Sequence, residues 1–344
     1  EASAAGTNWT FAPMVDISRD ARWGRVMEGA GEDPYLGSLI AAARVKGFQG
    51  DDLSKHNTIA ATAKHFAGYG FSESGRDYNT VDVSKNTLYN VILPPFKATV
   101  DAGVRTFMNG FNELDGIPVT GSTFLQRDLL KGEWGFDGFV ISDWGSIAEM
   151  IPHGYAKDGS HATELAVKAG SDMDMESHLY IKKIKDLIES KKLNTELVDD
   201  AVSRILRVKF ELGLFEDPYR YLDADREKEV LYHPDNQKGV LEMAKKSIVL
   251  LKNKTQLLPL KKENQTIALI GALANDNNSP LGNWRTNSDN NTAITVFEGM
   301  KAYPKNKLIY KKGADVNLNN GGVVKFHEKV KINENDKSGF NSAK

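Results

Sequence analysis

The chain contains no cysteine, which excludes a disulfide framework, a thiolate nucleophile and a thiolate metal site. It also lacks any apolar run long enough to span a bilayer, so membrane insertion is not expected. Charge of one sign is lacking too. Lys and Arg total 44 and Asp and Glu total 46, a net charge of -2. That balance argues against a nucleic-acid binder or a polybasic membrane-surface protein. Several catalytic signatures are missing: there is no GxSxG elbow, Walker A loop, HExxH helix or GxGxxG after a strand. The seven histidines show no metal-ligand spacing. What is present is an ordinary globular composition, 26% charged and 9% aromatic, over 344 residues. That length suggests two domains at roughly 150 residues each. The chain begins at Glu1 and ends in a polar run, so the sequence reads as a piece of something longer.

Short β-prone runs alternate with amphipathic helical stretches through the first two thirds. The pattern predicts strands at 10–15, 59–66, 105–110, 138–142 and 171–175. Between and after them it predicts helices at 33–49, 86–101, 123–133, 162–169 and 179–191. Such alternation means parallel βαβ units and an α/β fold. The period suits a TIM barrel with elaborated loops, although a doubly wound sheet would alternate similarly. Polar residues cluster at the strand ends: Asp16, His65, Asn109, Asn112, Asp143 and Asp174. A helix over 195–215, with Thr195 as N-cap, closes this region. Residues 216–234 are charged and turn-rich and read as a linker. A helix at 236–251 follows, then a strand at 266–271, an Asn-rich loop at 275–291 and a short strand at 308–310. Five strands are too few for a closed barrel. The expected architecture is therefore an incomplete (β/α)8 TIM-like barrel over 1–215, a linker and helix over 216–262, and the start of an α/β sandwich domain over 263–344.

Three segments carry chemistry. Phe139-Val140-Ile141-Ser142-Asp143-Trp144 delivers a carboxylate to a strand end with an indole beside it. A carboxylate there can attack an anomeric carbon while the aromatic face stacks on a sugar. The alternative is an Asp that caps the next helix. Ala63-Lys64-His65-Phe66 places a basic pair at another strand end, able to donate hydrogen bonds to hydroxyls. The alternatives are a Schiff-base lysine, or a core histidine beside a snorkelling lysine. The stretch 16–25 (DISRDARWGR) is a long charged loop whose arginines suit vicinal hydroxyls or carboxylates. So many opposite charges must also pair largely with one another.

Taken in order, APMVDISRDARWGRVMEGAGEDP, AATAKHFAGYG, GFVISDWGS, AGSDMDM and AKKSIVLLKNKTQLLPL resemble family 3 glycoside hydrolases, most of all the bacterial periplasmic β-glucosidases of that family. The resemblance spans nearly the whole chain. It implies a TIM-like barrel, a linker and an α/β sandwich, with a site that hydrolyses terminal β-D-glucosyl residues with retention. By position, Asp143 matches the nucleophile. Lys64 and His65 match the pair that binds sugar hydroxyls, and Arg25 matches a further binder. Arg76 is a looser match to another family arginine. Met108 matches a methionine that packs near the sugar, and Phe111 stands where many members have Tyr. Trp144 and Trp284 look like two tryptophans that sandwich the next sugar; the alternative for Trp284 is a loop anchor. The family's acid/base Glu is expected beyond the end of the chain, since neither Glu298 nor Glu328 has a motif around it. A fragment without that Glu is expected to be inactive alone. A branch of the family uses a His on the loop after the KHF segment as acid/base, but 68–77 contain none. The resemblance implies no cofactor or metal, an oligosaccharide or small β-glucoside as substrate, and a periplasmic or secreted location. Other readings are a β-xylosidase or related exo-glycosidase, and a non-catalytic sugar-binding remnant. Nothing in the sequence sets an oligomeric state.

Overall fold

The computed structural model describes residues 1–282, 284, 289–315, 329 and 331–344. The chain divides into two units, Glu1–Met243 and Ala244–Lys344.

The first unit is built on a parallel sheet of β1 (Thr62–Phe66), β2 (Thr106–Asn109) and β5 (Phe139–Ile141), side by side in that order. A small antiparallel hairpin, β3 (Glu113–Leu114) and β4 (Ile117–Pro118), follows β2. Parallel bridges extend the sheet at both edges. Trp9 pairs with Ala60 and Met14 with Lys64 on one side, and Ile141 pairs with Met173 on the other. All five expected β segments thus lie in one parallel run. The first makes only isolated bridges because Pro13 has no N–H to give the ladder. Trp9 Nε1 ties that edge inward, donating to Thr62 Oγ1 at 2.9 Å and Thr106 Oγ1 at 3.0 Å.

Both faces of the sheet are covered, as parallel sheets require. The row Ala63–Phe107–Val140 packs into a large core with Ala41, Val45, Phe96 and Leu129. The neighbouring row places Met108 and Ile141 in a second core with Val208, Leu212 and Tyr221. The crossover helices have legible ends. Pro34–Gln49 starts with Asp33 accepting from the Leu36 N–H at 2.7 Å and stops at Gly50, where φ is 59°. Gly159–Ala169 is capped by Asp158 and ended by Gly170. The helix Thr195–Glu211 differs from expectation in its cap. Asn194, extended and outside the helix, accepts from the Glu196 N–H at 3.2 Å, so Thr195 is already the first helical residue. Residues 216–234 include the helix Ala224–Val230. Tyr221 is buried, and Arg226 donates to the carbonyls of Ser3 and His56, at 2.7 and 2.6 Å.

In the second unit, β6 (Thr266–Ile270) pairs in parallel with β7 (Lys307–Lys311). The helix Val296–Lys301 lies between them in the chain, its start fixed by a capping box of Thr295 and Glu298. Glu298 is thereby used by its own helix. Glu328 lies outside the described residues.

Candidate active site

The site is assembled where the sheet ends meet the loop that follows Met14. Asp16 is the second residue past that bridge, and the loop beyond it carries Arg25 and Glu28. Two anchors shape the loop. Trp23 is buried and donates from Nε1 to Asp77 Oδ1 at 2.9 Å. Gly75, with φ of 67°, lies so near the Trp23 backbone that a Cβ would sit 2.6 Å from its nitrogen. Much of the loop's charge is spent internally, as expected. Arg22 pairs with Asp20 at 2.7 Å, and Arg25 binds Glu28 through Nε at 2.7 Å and Nη2 at 3.0 Å.

The end of β1 is bulged. Lys64 pairs with Met108 and Phe66 with Asn109, leaving His65 as an extra residue. The Lys64–His65 and Phe66–Ala67 peptide bonds are cis. Neighbours on a regular strand point to opposite faces, but a bulge re-aims side chains. Here Lys64 and His65 both reach the same cluster. Lys64 Nζ is 3.9 Å from Glu28 Oε2. His65, fully buried, has Nδ1 2.8 Å from Asp16 Oδ2 and Nε2 2.9 Å from Arg25 Nη2.

Asp143 follows β5 by two residues. Its backbone is clasped on both sides: Ser142 N–H donates to the Met173 carbonyl at 2.9 Å, and Gly145 N–H donates to the Met175 carbonyl at 2.8 Å. The side chain does not cap the short helix Ser146–Glu149, whose cap position is Gly145. Instead Oδ1 accepts from the Trp144 N–H at 2.7 Å. Oδ2 is buried with no hydrogen-bond partner among the described residues and lies 3.5 Å from His65 Nε2. A carboxylate oxygen left this way is chemically available, since buried polar atoms are normally satisfied.

The electrostatics are set by burial and by a crowd of carboxyls. Burial works against the Arg25 charge, but Glu28 and then Asp143 outweigh it and hold the guanidinium firmly protonated. Burial, with Arg25 beside it, lowers Lys64. Glu149, half-buried, is pushed up to about 7 by burial and by the Asp143 charge. Tyr78 rises to about 12 through burial and the Glu149 and Asp143 carboxylates.

Of the residues expected from sequence, the structure brings Arg25, Lys64, His65 and Asp143 together. Trp144 adjoins them with its ring half exposed. Phe111 is buried with Met14, Trp23 and Tyr69, and its ring lies 4.3 Å from that of Tyr78. Met108 is buried in the second core. Arg76 is exposed on the loop after Gly75, and its side chain makes none of these contacts. Trp284 belongs to the second unit, where it is 56% exposed. Sequence reasoning marked Asp16 at a strand end but gave it no role, and passed over Glu28, Tyr78 and Glu149. Asp16 carried a signal, a carboxylate just past a strand, and Glu28 carried another, an acid three residues after Arg25. Nothing in the spacing marked Tyr78 or Glu149.

Residues 1–208 match the glycosyl hydrolase family 3 N-terminal domain, and residues 248–342 match the glycosyl hydrolase family 3 C-terminal domain. The chain belongs to glycosyl hydrolase family 3. Among family 3 relatives, it is 42% identical over 341 residues to a periplasmic β-glucosidase of Salmonella typhimurium, covering 96% of this chain and 44% of that protein. It is 37% identical to a xylan 1,4-β-xylosidase of Xylanibacter ruminicola, covering 93% of this chain and 37% of that one. Among solved structures, a β-glucosidase of Listeria innocua in complex with glucose aligns with a TM-score of 0.86 at 42% identity, covering 92% of this chain and 44% of that one. A mutant of that enzyme in complex with laminaribiose aligns with a TM-score of 0.85 at 43% identity, covering 91% and 44%. The chain thus spans less than half the length of these relatives.

Proposed function

We propose that this chain carries the nucleophile of a retaining, exo-acting β-glucosidase that removes terminal non-reducing β-D-glucosyl residues. The observation that carries the reading is the Asp143 carboxylate, buried at the end of β5 with Oδ2 unpartnered and two cations, Arg25 and Lys64, in the same cluster. The parallel run of β segments is taken as part of a (β/α)8 barrel, whose carboxyl ends bear the active site. In the first step Oδ2 attacks the anomeric carbon and the glycosidic C–O bond breaks, leaving a glycosyl ester on Asp143. In the second, water adds to the anomeric carbon, giving up a proton to a second carboxyl, and the Asp143 carboxylate leaves. Lys64 and Arg25 offer donors to the sugar hydroxyls, and Trp144 offers an apolar face beside the nucleophile. Protonation of the leaving oxygen requires a second carboxyl about 5 Å from the first. The reading assigns only the nucleophile to this chain. The Salmonella relative supports a periplasmic or secreted location. Among the described residues no helix is long and apolar enough to cross a membrane.

The test is Asp143→Asn in a protein that also carries the second carboxyl. Turnover of an aryl β-glucoside should fall by about three orders of magnitude or more, with the melting temperature little changed. Normal turnover in that variant overturns the assignment. A second reading, β-xylosidase, draws on the xylosidase named among the relatives. Comparing kcat/KM for aryl β-glucosides and aryl β-xylosides separates the two, and we expect the glucoside to be preferred.

A further inference from the structure

We infer that Asp16 is a positioning residue that fixes the tautomer of His65, so that the imidazole orients Arg25 by accepting its hydrogen bond. Asp16 Oδ2 takes the His65 backbone N–H at 2.9 Å and lies 2.8 Å from Nδ1. A carboxylate offers only lone pairs, so Nδ1 carries the ring proton. On the other side, Arg25 Nη2 lies 2.9 Å from Nε2. A guanidinium has donors and no acceptor, so Nε2 must present its lone pair. Two neighbours on opposite sides of the ring therefore demand the same neutral tautomer. Water does not relax the demand, because the side chains of His65 and Asp16 are 0% and 1% exposed.

The family resemblance casts His65 as a partner of sugar hydroxyls. In this tautomer Nε2 can only accept a hydrogen bond from a hydroxyl, and it shares that lone pair with Arg25. Asp143 Oδ2, 3.5 Å from the same nitrogen, receives no proton from it. Arg25 and Lys64 both feel the Asp143 charge, and the guanidinium is held between Glu28 and the imidazole. Asp16 touches neither the nucleophile nor Arg25 through any described contact, and acts through the ring. Alanine at position 16 would remove the single oxygen that takes both the His65 N–H and Nδ1–H, and would leave the Nδ1 proton buried without an acceptor. The proton would then move to Nε2 and point at the donors of Arg25.

The kinetic part of this inference rests on the glycosidase reading; the tautomer itself does not. The test starts with the wild-type full chain labelled with 15N-histidine, the His65 resonances being assigned by their absence in His65→Gln. The expected spectrum shows a protonated Nδ1 and an unprotonated Nε2. A protonated Nε2 in the wild type overturns the inference. Asp16→Ala should move the proton to Nε2 and, in a protein that also carries the second carboxyl, lower kcat/KM for an aryl β-glucoside by about 100-fold. An unchanged tautomer with unchanged kcat/KM overturns the role of Asp16. Should Asp16→Ala not fold, a pair of His65 variants tests the same point. Glutamine can place its Oε1 where Nε2 stood, whereas asparagine is too short. His65→Gln should retain about ten times the kcat/KM of His65→Asn, and the reverse order overturns the inference. If Asp143→Asn keeps full activity while the tautomer is as stated, it is the glycosidase reading that fails and not this one.

Discussion

Glu149 shows how one side chain can record its surroundings. Its carboxyl titrates near 7 because burial and the Asp143 charge both disfavour the ionised form. An unfolded chain holds the same group near its ordinary value, 4.5. Between pH 4.5 and 7 the folded state therefore binds the proton more tightly, and stability falls as pH rises through that window. Below it both states are protonated and the penalty is absent. The group is half exposed, so solvent screening keeps the effect modest. Glu149→Gln removes the ionisation, and a melting curve series from pH 4.5 to 8 should show a flatter decline than the wild type. Equal slopes in the two proteins would place the pH dependence elsewhere. This behaviour was not legible in the sequence: Glu149 lies six residues from Asp143, and only the turn at Gly145 and the short helix after it bring their charges to bear on each other. Arg25 was legible as a binder, but its contact with the His65 ring at the end of β1 was not.

The elements meet through buried polar ties as well as apolar rows. Lys131, from the helical segment Phe124–Glu133, reaches Asp172 at 2.7 Å with both side chains almost wholly buried. Asp172 Oδ2 also accepts from the Val140 N–H at 2.8 Å, so the pair holds the far edge of the sheet on β5, one residue short of that strand's end and three before Asp143. Burial lowers Lys131 to about 8 and raises Asp172 above its usual value. A lone buried charge is far costlier than a pair. Lys131→Met or Asp172→Asn alone should cost about 3–5 kcal/mol in chemical denaturation followed by tryptophan fluorescence. Lys131→Met combined with Asp172→Leu should cost much less than the sum of the singles. Additive losses would mean that the two side chains act independently. At this scale the sequence was a good guide. The βα alternation was legible, whereas the Asp158 cap ahead of the expected helix start at 162 and the Asn194 cap in place of Thr195 were not. The bulge at His65 was invisible, because it is a matter of register with β2 and leaves no mark in composition.

For the whole molecule, near neutrality is the property that bears on substrate. With 44 basic and 46 acidic residues there is little long-range field to steer a charged ligand, and an uncharged glycoside needs none. Over salt from about 20 mM to about 0.5 M, kcat/KM for a neutral aryl glycoside should change less than about twofold. A steep salt dependence with this neutral substrate would overturn the expectation that screening of long-range charge plays no part. The sequence by itself determined the α/β class, the five parallel β segments, the absence of thiolate chemistry and, through its ordered motifs, the family. It could do so because strand and helix periodicities are local and the motifs are contiguous. Only the tertiary structure decided that Asp16, Arg25 and Glu28 surround His65 and Lys64, and that Asp143 keeps one oxygen unpartnered instead of capping a helix. Those facts depend on which carboxylates and cations share a volume from which water is excluded, and residues more than a hundred positions apart meet there through the packing of separate strands.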